Sequence, residues 1–220
     1  MGADGPQALH GLQDAVLGAV SRLETGFYLT GGAAAARGYL GHRLAETLEL
    51  AIGDDARFGR WAEQVASSLT TSTEWTGEVT SREARFVRLA LARGDCRVPV
   101  ELSNDAFAHV GTVSVHPVLG RLSSADNLLA DLVTALADRA EPEDLADLWG
   151  FCCRERRPVA PSLEAARSKA ASVFPIDLAR VVSAATRADW ELVRWLAAPP
   201  VESYLDDLRR LGEELLLLKA

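Results

Sequence analysis

A chain of 220 residues with 48% apolar and 25% charged residues can bury one sizeable core, or a core with a helical extension, without disulfides or structural metal. Its formal charge of -8 argues against generic coating of DNA or RNA, because an acidic surface repels phosphates on average. Three cysteines, Cys96, Cys152 and Cys153, are too few for a disulfide framework. With no signal-peptide pattern and no apolar window of membrane length, a reducing cytoplasm is the expected setting.

In chain order, Leu9, Leu12, Val16, Val20 and Leu23 recur at helical steps and predict an opening amphipathic helix. Phe27-Tyr28-Leu29 reads as a short strand broken by Gly31-Gly32, followed by a short helix over Ala33–Leu40. Thr47–Ile52 alternates as a strand. Phe58, Trp61, Ala62, Val65 and Leu69 form a helical stripe, with Asp54 or Asp55 as its expected N-cap. Thr70–Thr76 reads as a loop. Ala84–Ala92 and Arg97–Leu102 read as a hairpin turned by Arg93-Gly94-Asp95-Cys96, with Pro99 predicting an edge position or a bulge.

Gly111–Gly120 is rich in turn residues, and beyond Ser123 the pattern is helical throughout. Ser123 or Ser124 caps one helix and Pro142 opens another. Further helices are expected at Ser162–Val173, Asp177–Thr186, Asp189–Ala197 and Val201–Leu218. The organisation is thus a mixed α/β half, residues 1–121, and a helical half, residues 122–220. Several constellations carry no chemistry at their spacing. His109 and His116 lack Cys or acid partners at metal-ligand distance. Cys152 and Cys153 read as small buried residues, Trp190 and Trp195 as bundle packing, and Leu215–Leu218 as either buried or a partner contact.

Two blocks carry a family resemblance. The run Phe27-Tyr28-Leu29-Thr30-Gly31-Gly32-Ala33 through Tyr39-Leu40-Gly41-His42-Arg43, then Ala45-Glu46-Thr47-Leu48-Glu49, resembles the opening of AbiEii/AbiGii-type abortive-infection nucleotidyltransferases. In that family a strand enters a Gly-Gly turn followed by Ser or Thr, then a "GHR" segment and a strand bearing S-x-D-x-D. Glycines let a backbone approach a triphosphate, and helix N-terminal amides bind its oxygens. Two acids two residues apart share one strand face and can hold Mg²⁺. Here Ala33 stands for the hydroxyl, Ala45 for the serine, Thr47 for the first aspartate and Glu49 for the second. Alternation points Glu46 to the other face.

The second block, Asp126–Phe151, resembles the family's lysine-bearing helix ending in A-L-x-x-R, followed by R-D-x-x-D-L. Ala135-Leu136-Ala137-Asp138-Arg139 and Glu143-Asp144-Leu145-Ala146-Asp147-Leu148 match it, with Asp144 and Asp147 on one helix face. The phosphate lysine falls at or beside Leu132, and the only lysines are Lys169 and Lys219. Arg139 could hold an anion or form an ion pair with Asp144 or Asp147. Glu101, after the hairpin, matches the superfamily's third carboxylate, or is an ordinary solvated strand residue.

The resemblance implies an α+β fold of the DNA polymerase beta-like nucleotidyltransferase superfamily: a mixed β-sheet core with flanking helices, then a helical bundle. It implies Glu49, Glu101, Asp144 and Asp147 as catalytic residues and Glu49 and Glu101 as metal ligands. Gly31, Gly32, Arg43 and Arg139 would hold the nucleotide. Two activities remain open, beside a third reading in which the fold resemblance hides an unrelated role. One is a catalytically degenerate protein that acts by binding an antitoxin or another protein. The other is an active bacterial toxin using Mg²⁺ and NTP to modify tRNA or protein.

Overall fold

The computed structural model describes residues 5–105, 109–169 and 173–218. The chain forms two compact units. It leaves the first after Ala34, returns to it at Ala45 and leaves again after Ser123; residues 35–44 and the chain from Ser124 onward belong to the second.

The first unit is built on α1 (Gly5–Ser21), β1 (Tyr28–Thr30), a single turn α2 (Gly31–Ala33), β2 (Leu48–Gly53) and α3 (Phe58–Thr70). Strands β3 (Thr76–Glu83), β4 (Phe86–Arg93), β5 (Cys96–Asp105), β6 (Ser114–His116) and β7 (Gly120–Leu122) complete it. Among the described residues they form one seven-stranded sheet in the order β3-β4-β5-β2-β1-β7-β6. Two pairings, β2 with β5 and β1 with β7, are parallel and the others antiparallel.

Alternation dictates which face is buried: Val87, Leu89 and Leu91 of β4 and Val98, Val100 and Leu102 of β5 all point inward. α1 packs there against β5 and β7, and α3 against β3 and β4. Each such Val or Leu contributes about 1.5–3 kcal/mol by leaving water.

Several expectations are corrected in this unit. The segment from Thr76 is not the end of a loop but the start of β3, an edge strand exposed on both faces and bulged between Val79 and Ser81. With no apolar alternation it carries no strand signal. The turn-rich stretch holds the β6–β7 hairpin, whose turn is templated by His116: its Nδ1 accepts from the N–H groups of Val118 and Leu119 at 3.2 and 3.1 Å. Pro99 lies in an interior strand. It is accommodated because the β2 ladder begins one residue later, at Leu48 opposite Val100, so no β2 partner needs its missing N–H. The N-cap of α3 is Arg57, without a side-chain cap. Asp55 instead accepts from the Arg57 backbone and guanidinium, bonds that hold its carboxyl down at about 2.

The second unit opens with a π-helical segment, Ala34–Leu40, most of which lies beyond the Ala34 boundary, and continues with α4 (Ala125–Asp138) and α5 (Pro142–Trp149). A second π-helical segment, Gly150–Arg154, precedes α6 (Ala160–Lys169), α7 (Pro175–Ser183), α8 (Arg187–Leu192) and α9 (Val201–Leu217). Ser124 is the cap of α4, accepting from Asn127 N–H, and Thr186 with Asp189 forms a reciprocal capping box on α8. The expected helix Ser162–Val173 is seen as α6, and residues 170–172 fall outside the described ones.

Trp149, Trp195 and Tyr204 stack edge-on or tilted with ring centroids 5.6–6.1 Å apart and form the aromatic centre of the bundle. Of the terminal leucines Leu215 is buried, while Leu216 and Leu217 face solvent. Among the described residues no helix is long and apolar enough to cross a membrane.

Candidate functional site

The glycine turn forms as its sequence requires. β1 ends at Thr30, and Gly31 takes a φ of 63°, a conformation that side-chain-bearing residues rarely adopt. A Cβ at Gly31 would collide with the carboxylate of Glu49, which folds back over the turn. The Gly32 N–H points at Glu49 Oε1 from 3.4 Å. The protein's own carboxylate therefore occupies the close-approach space that the two glycines open.

Glu49 belongs to a polar row that crosses five strands. Thr30 of β1 is the register partner of Glu49 on β2, Glu49 of Glu101 on β5, Glu101 of Arg88 on β4, and Arg88 of Ser81 on β3. Register partners share a sheet face, so the two glutamates stand side by side on neighbouring strands, about 5 Å apart at the backbone. Arg88 completes the row by pairing its Nη2 with Glu101 Oε1 at 3.2 Å. Thr47 falls one residue before β2, so strand alternation does not place it beside Glu49. The backbone leading into β2 is held from α1, where the buried Gln13 amide donates to the Ala45 and Glu46 carbonyls at 2.7 and 3.2 Å.

A two-metal centre needs several anionic oxygens converging on each hard, hydrated ion. Glu101 already pairs with Arg88, and Glu49 is turned onto the glycine amide. Among the described residues no three His, Cys, Asp or Glu side chains converge as ligands. This donor set falls short of a two-metal centre, and a triphosphate at Gly31 would have to displace Glu49.

The other expected site residues lie in the second unit, where they form ion pairs with one another. Arg43 is 1% exposed and Asp147 2%. Asp147 accepts from Arg43 Nε at 2.7 Å and Nη2 at 2.6 Å, a two-pronged pairing. Arg43 Nη1 donates to the Leu44 carbonyl and to Glu143, each at 3.0 Å. Four N–H bonds thus end on protein oxygens, which leaves the expected nucleotide ligand Arg43 turned wholly inward. Burial pulls its guanidinium down, but the charge and hydrogen bonds of Asp147 outweigh burial and hold it above the ordinary arginine value.

His42 is buried beside the pair, with Nε2 3.2 Å from Asp147 Oδ1 but without a well-aligned hydrogen bond. The segment is fixed by an antiparallel bridge from Arg43 to Trp195 and by the Leu44 N–H donating to the Arg194 carbonyl.

Asp144 lies 3.3 Å from Arg139 Nε, so of the two readings of Arg139 the geometry displays the ion pair. The Asp144 carboxyl titrates above the usual range because burial outweighs the neighbouring Arg139 charge. The missing phosphate lysine has an unexpected counterpart. Lys169, on α6, reaches back to α4 and donates to Asn127 Oδ1 at 2.7 Å and Asp131 Oδ1 at 2.5 Å, next to the position of Leu132. Its charge is spent on that helix.

Sequence reasoning gave no site role to Gln13, His42, Arg88 or Lys169. His42 stood in the Gly41-His42-Arg43 run, and Arg88 left a trace as an arginine alternating with Val87 and Leu89 on the exposed side of its strand. Gln13 and Lys169 act across long stretches of chain and left no signal.

The seven-stranded mixed sheet with a glycine turn after β1 and helices alongside is a nucleotidyltransferase-type fold. Among solved structures it is similar to MenT4, a nucleotidyltransferase toxin from Mycobacterium tuberculosis, with a TM-score of 0.70 and 16% identity over 100% of this chain and 87% of that one. A candidate nucleotidyltransferase from Helicobacter pylori matches with a TM-score of 0.65 and 16% identity, covering 98% and 96% of the two chains. JHP933, also from Helicobacter pylori, matches with 0.63 and 16%, covering 97% and 92%. No protein-family model matches the chain, and no curated protein matches its sequence. Identity at this level carries the fold and nothing narrower.

Proposed function

We propose that this chain is a catalytically degenerate nucleotidyltransferase-fold protein, resembling AbiEii-type toxins, that acts by binding a protein partner such as an antitoxin. The observation that carries this reading is the seating of Glu49 on the Gly31-Gly32 turn, where a nucleotide phosphate would need the room. The inward pairing of Arg43 with Asp147 and the arginine at Glu101 support it, because each removes a charge the chemistry would use. The similarity to MenT4 supports the toxin-like side of the reading.

A second reading rests on one specific observation: Glu49 and Glu101 are register partners on one sheet face. Two adjacent carboxylates suit an active, metal-dependent nucleotidyltransferase acting on tRNA or protein, provided Glu49 swings off the turn. Titration calorimetry with each NTP and Mg²⁺ or Mn²⁺ separates the two. The degenerate reading expects no binding heat; saturable binding abolished by Glu49→Gln would replace it with the active one.

A further inference from the structure

The first unit contains a cavity of about 390 Å³ on the opposite end of β1 from the glycine turn, bounded by the end of α1, by β1 and β2, and by the β6–β7 hairpin. That volume lies within the range of small-molecule sites. Leu17, Phe27, Leu29, Leu50 and Leu119 line it, and all five are buried core residues. Ser21, Glu24, Thr25 and Arg121 supply the polar side chains of this lining. The Thr25 hydroxyl makes no hydrogen bond among the described residues although Thr25 is only 9% exposed. Arg121 and Glu24 are exposed, and neither side chain has a hydrogen bond or ion pair among the described residues, including with the other.

Glu24 adds a second, independent signal. It sits just past α1, where the chain closes with Leu23 N–H on the Val20 carbonyl, and its φ is 49°. Helices that end this way favour glycine, and a side-chain-bearing residue there is strained by roughly 1 kcal/mol. Here the strained residue is a glutamate whose side chain meets no partner among the described residues. Such strain, when nothing internal offsets it, points to an external one.

We infer that this cavity is a binding site for a small amphipathic zwitterion, with free aromatic or branched-chain amino acids as its simplest members. The apolar body packs among Leu17, Leu29 and Leu50, a carboxylate pairs with Arg121, an ammonium pairs with Glu24, and Thr25 supplies a hydrogen bond. An acidic chain would repel a plain anion, but a zwitterion carries no net charge to repel. The site involves none of the residues of the proposed function and stands or falls separately from it.

Calorimetry and thermal-shift measurements on the full chain test this with four probes: L-phenylalanine, L-leucine, 3-phenylpropionate and phenethylamine. The amino acids should bind saturably. 3-Phenylpropionate and phenethylamine, each lacking one charge, should bind about tenfold or more weakly, the loss expected for one charged hydrogen bond. Arg121→Gln and Glu24→Gln should weaken L-phenylalanine by the same factor while melting as the parent does, since both residues are exposed. Absence of binding at millimolar probe would overturn the assignment. So would equal affinity for L-phenylalanine and 3-phenylpropionate, or affinity unchanged in both variants.

Discussion

Replacing Asp147 with asparagine tests whether the most buried charges of the second unit are structural. The carboxylate is 2% exposed and accepts from two nitrogens of an arginine that is itself 1% exposed. The amide of Asp147→Asn matches the carboxylate in shape but is neutral, so it leaves the Arg43 guanidinium in a dry setting with the partly exposed Glu143 and the more distant charge of Asp144 to balance it. Breaking one partner of such a pair costs about 3–5 kcal/mol. For a chain of this size that corresponds to a fall in melting temperature of roughly 6–20 °C.

The double variant Arg43→Met/Asp147→Leu removes both charges and fills the space with apolar volume, so it should recover most of the loss. Circular dichroism melts of the parent, Arg43→Met, Asp147→Leu and the double give the coupling energy directly. A loss below about 3 °C for Asp147→Asn, or single losses that simply add in the double, would refute the structural assignment. It would return Arg43 and Asp147 to the pool of ligand-binding residues.

Three further outcomes follow from the geometry. Because the Asp144 carboxyl is raised by burial, the folded state holds its proton longer than the unfolded chain does. Stability from this group is therefore full below the unfolded carboxylate value and declines as pH rises through the folded one, so Asp144→Asn should flatten that decline in pH-dependent melts and leave neutral-pH stability no lower. Gly31→Ala should destabilise by about 1–2 kcal/mol in urea unfolding, through the left-handed backbone alone, and should also push Glu49 off the turn. Lys169→Met should cost about 1–3 kcal/mol, because Nζ holds both Asn127 and Asp131 on α4; an unchanged denaturation midpoint would remove that tie.

The sequence was legible where local chemistry decides local structure. Gly31-Gly32 announced the turn because a positive φ admits few other residues, and alternating Val87, Leu89 and Leu91 announced β4 because one face is buried. β3 was illegible for the converse reason: an edge strand wet on both faces has no pattern to show. The three-residue strands β6 and β7 are too short for a period to emerge.

In the candidate site, only the family resemblance linked Glu49 with Glu101, and the register of β2 with β5 makes them neighbours on one sheet face. The partners that decide what those acids do could not be read. Arg88 finds Glu101 through sheet register, Arg43 finds Asp147 across 104 residues, and Lys169 finds α4 from a different helix. Spacing encodes faces of one element; it is silent on which faces of distant elements meet. The excursion of residues 35–44 into the second unit is hidden for the same reason.

The most direct test of the central claim is a transfer assay. The full chain is incubated with each labelled NTP, Mg²⁺ or Mn²⁺, bulk tRNA and its own polypeptide as acceptors. A degenerate fold with Glu49 folded over its glycine turn predicts no label on RNA or protein above the metal-only background. Label transfer that disappears in Glu49→Gln would contradict it and establish Glu49 as a working catalytic acid.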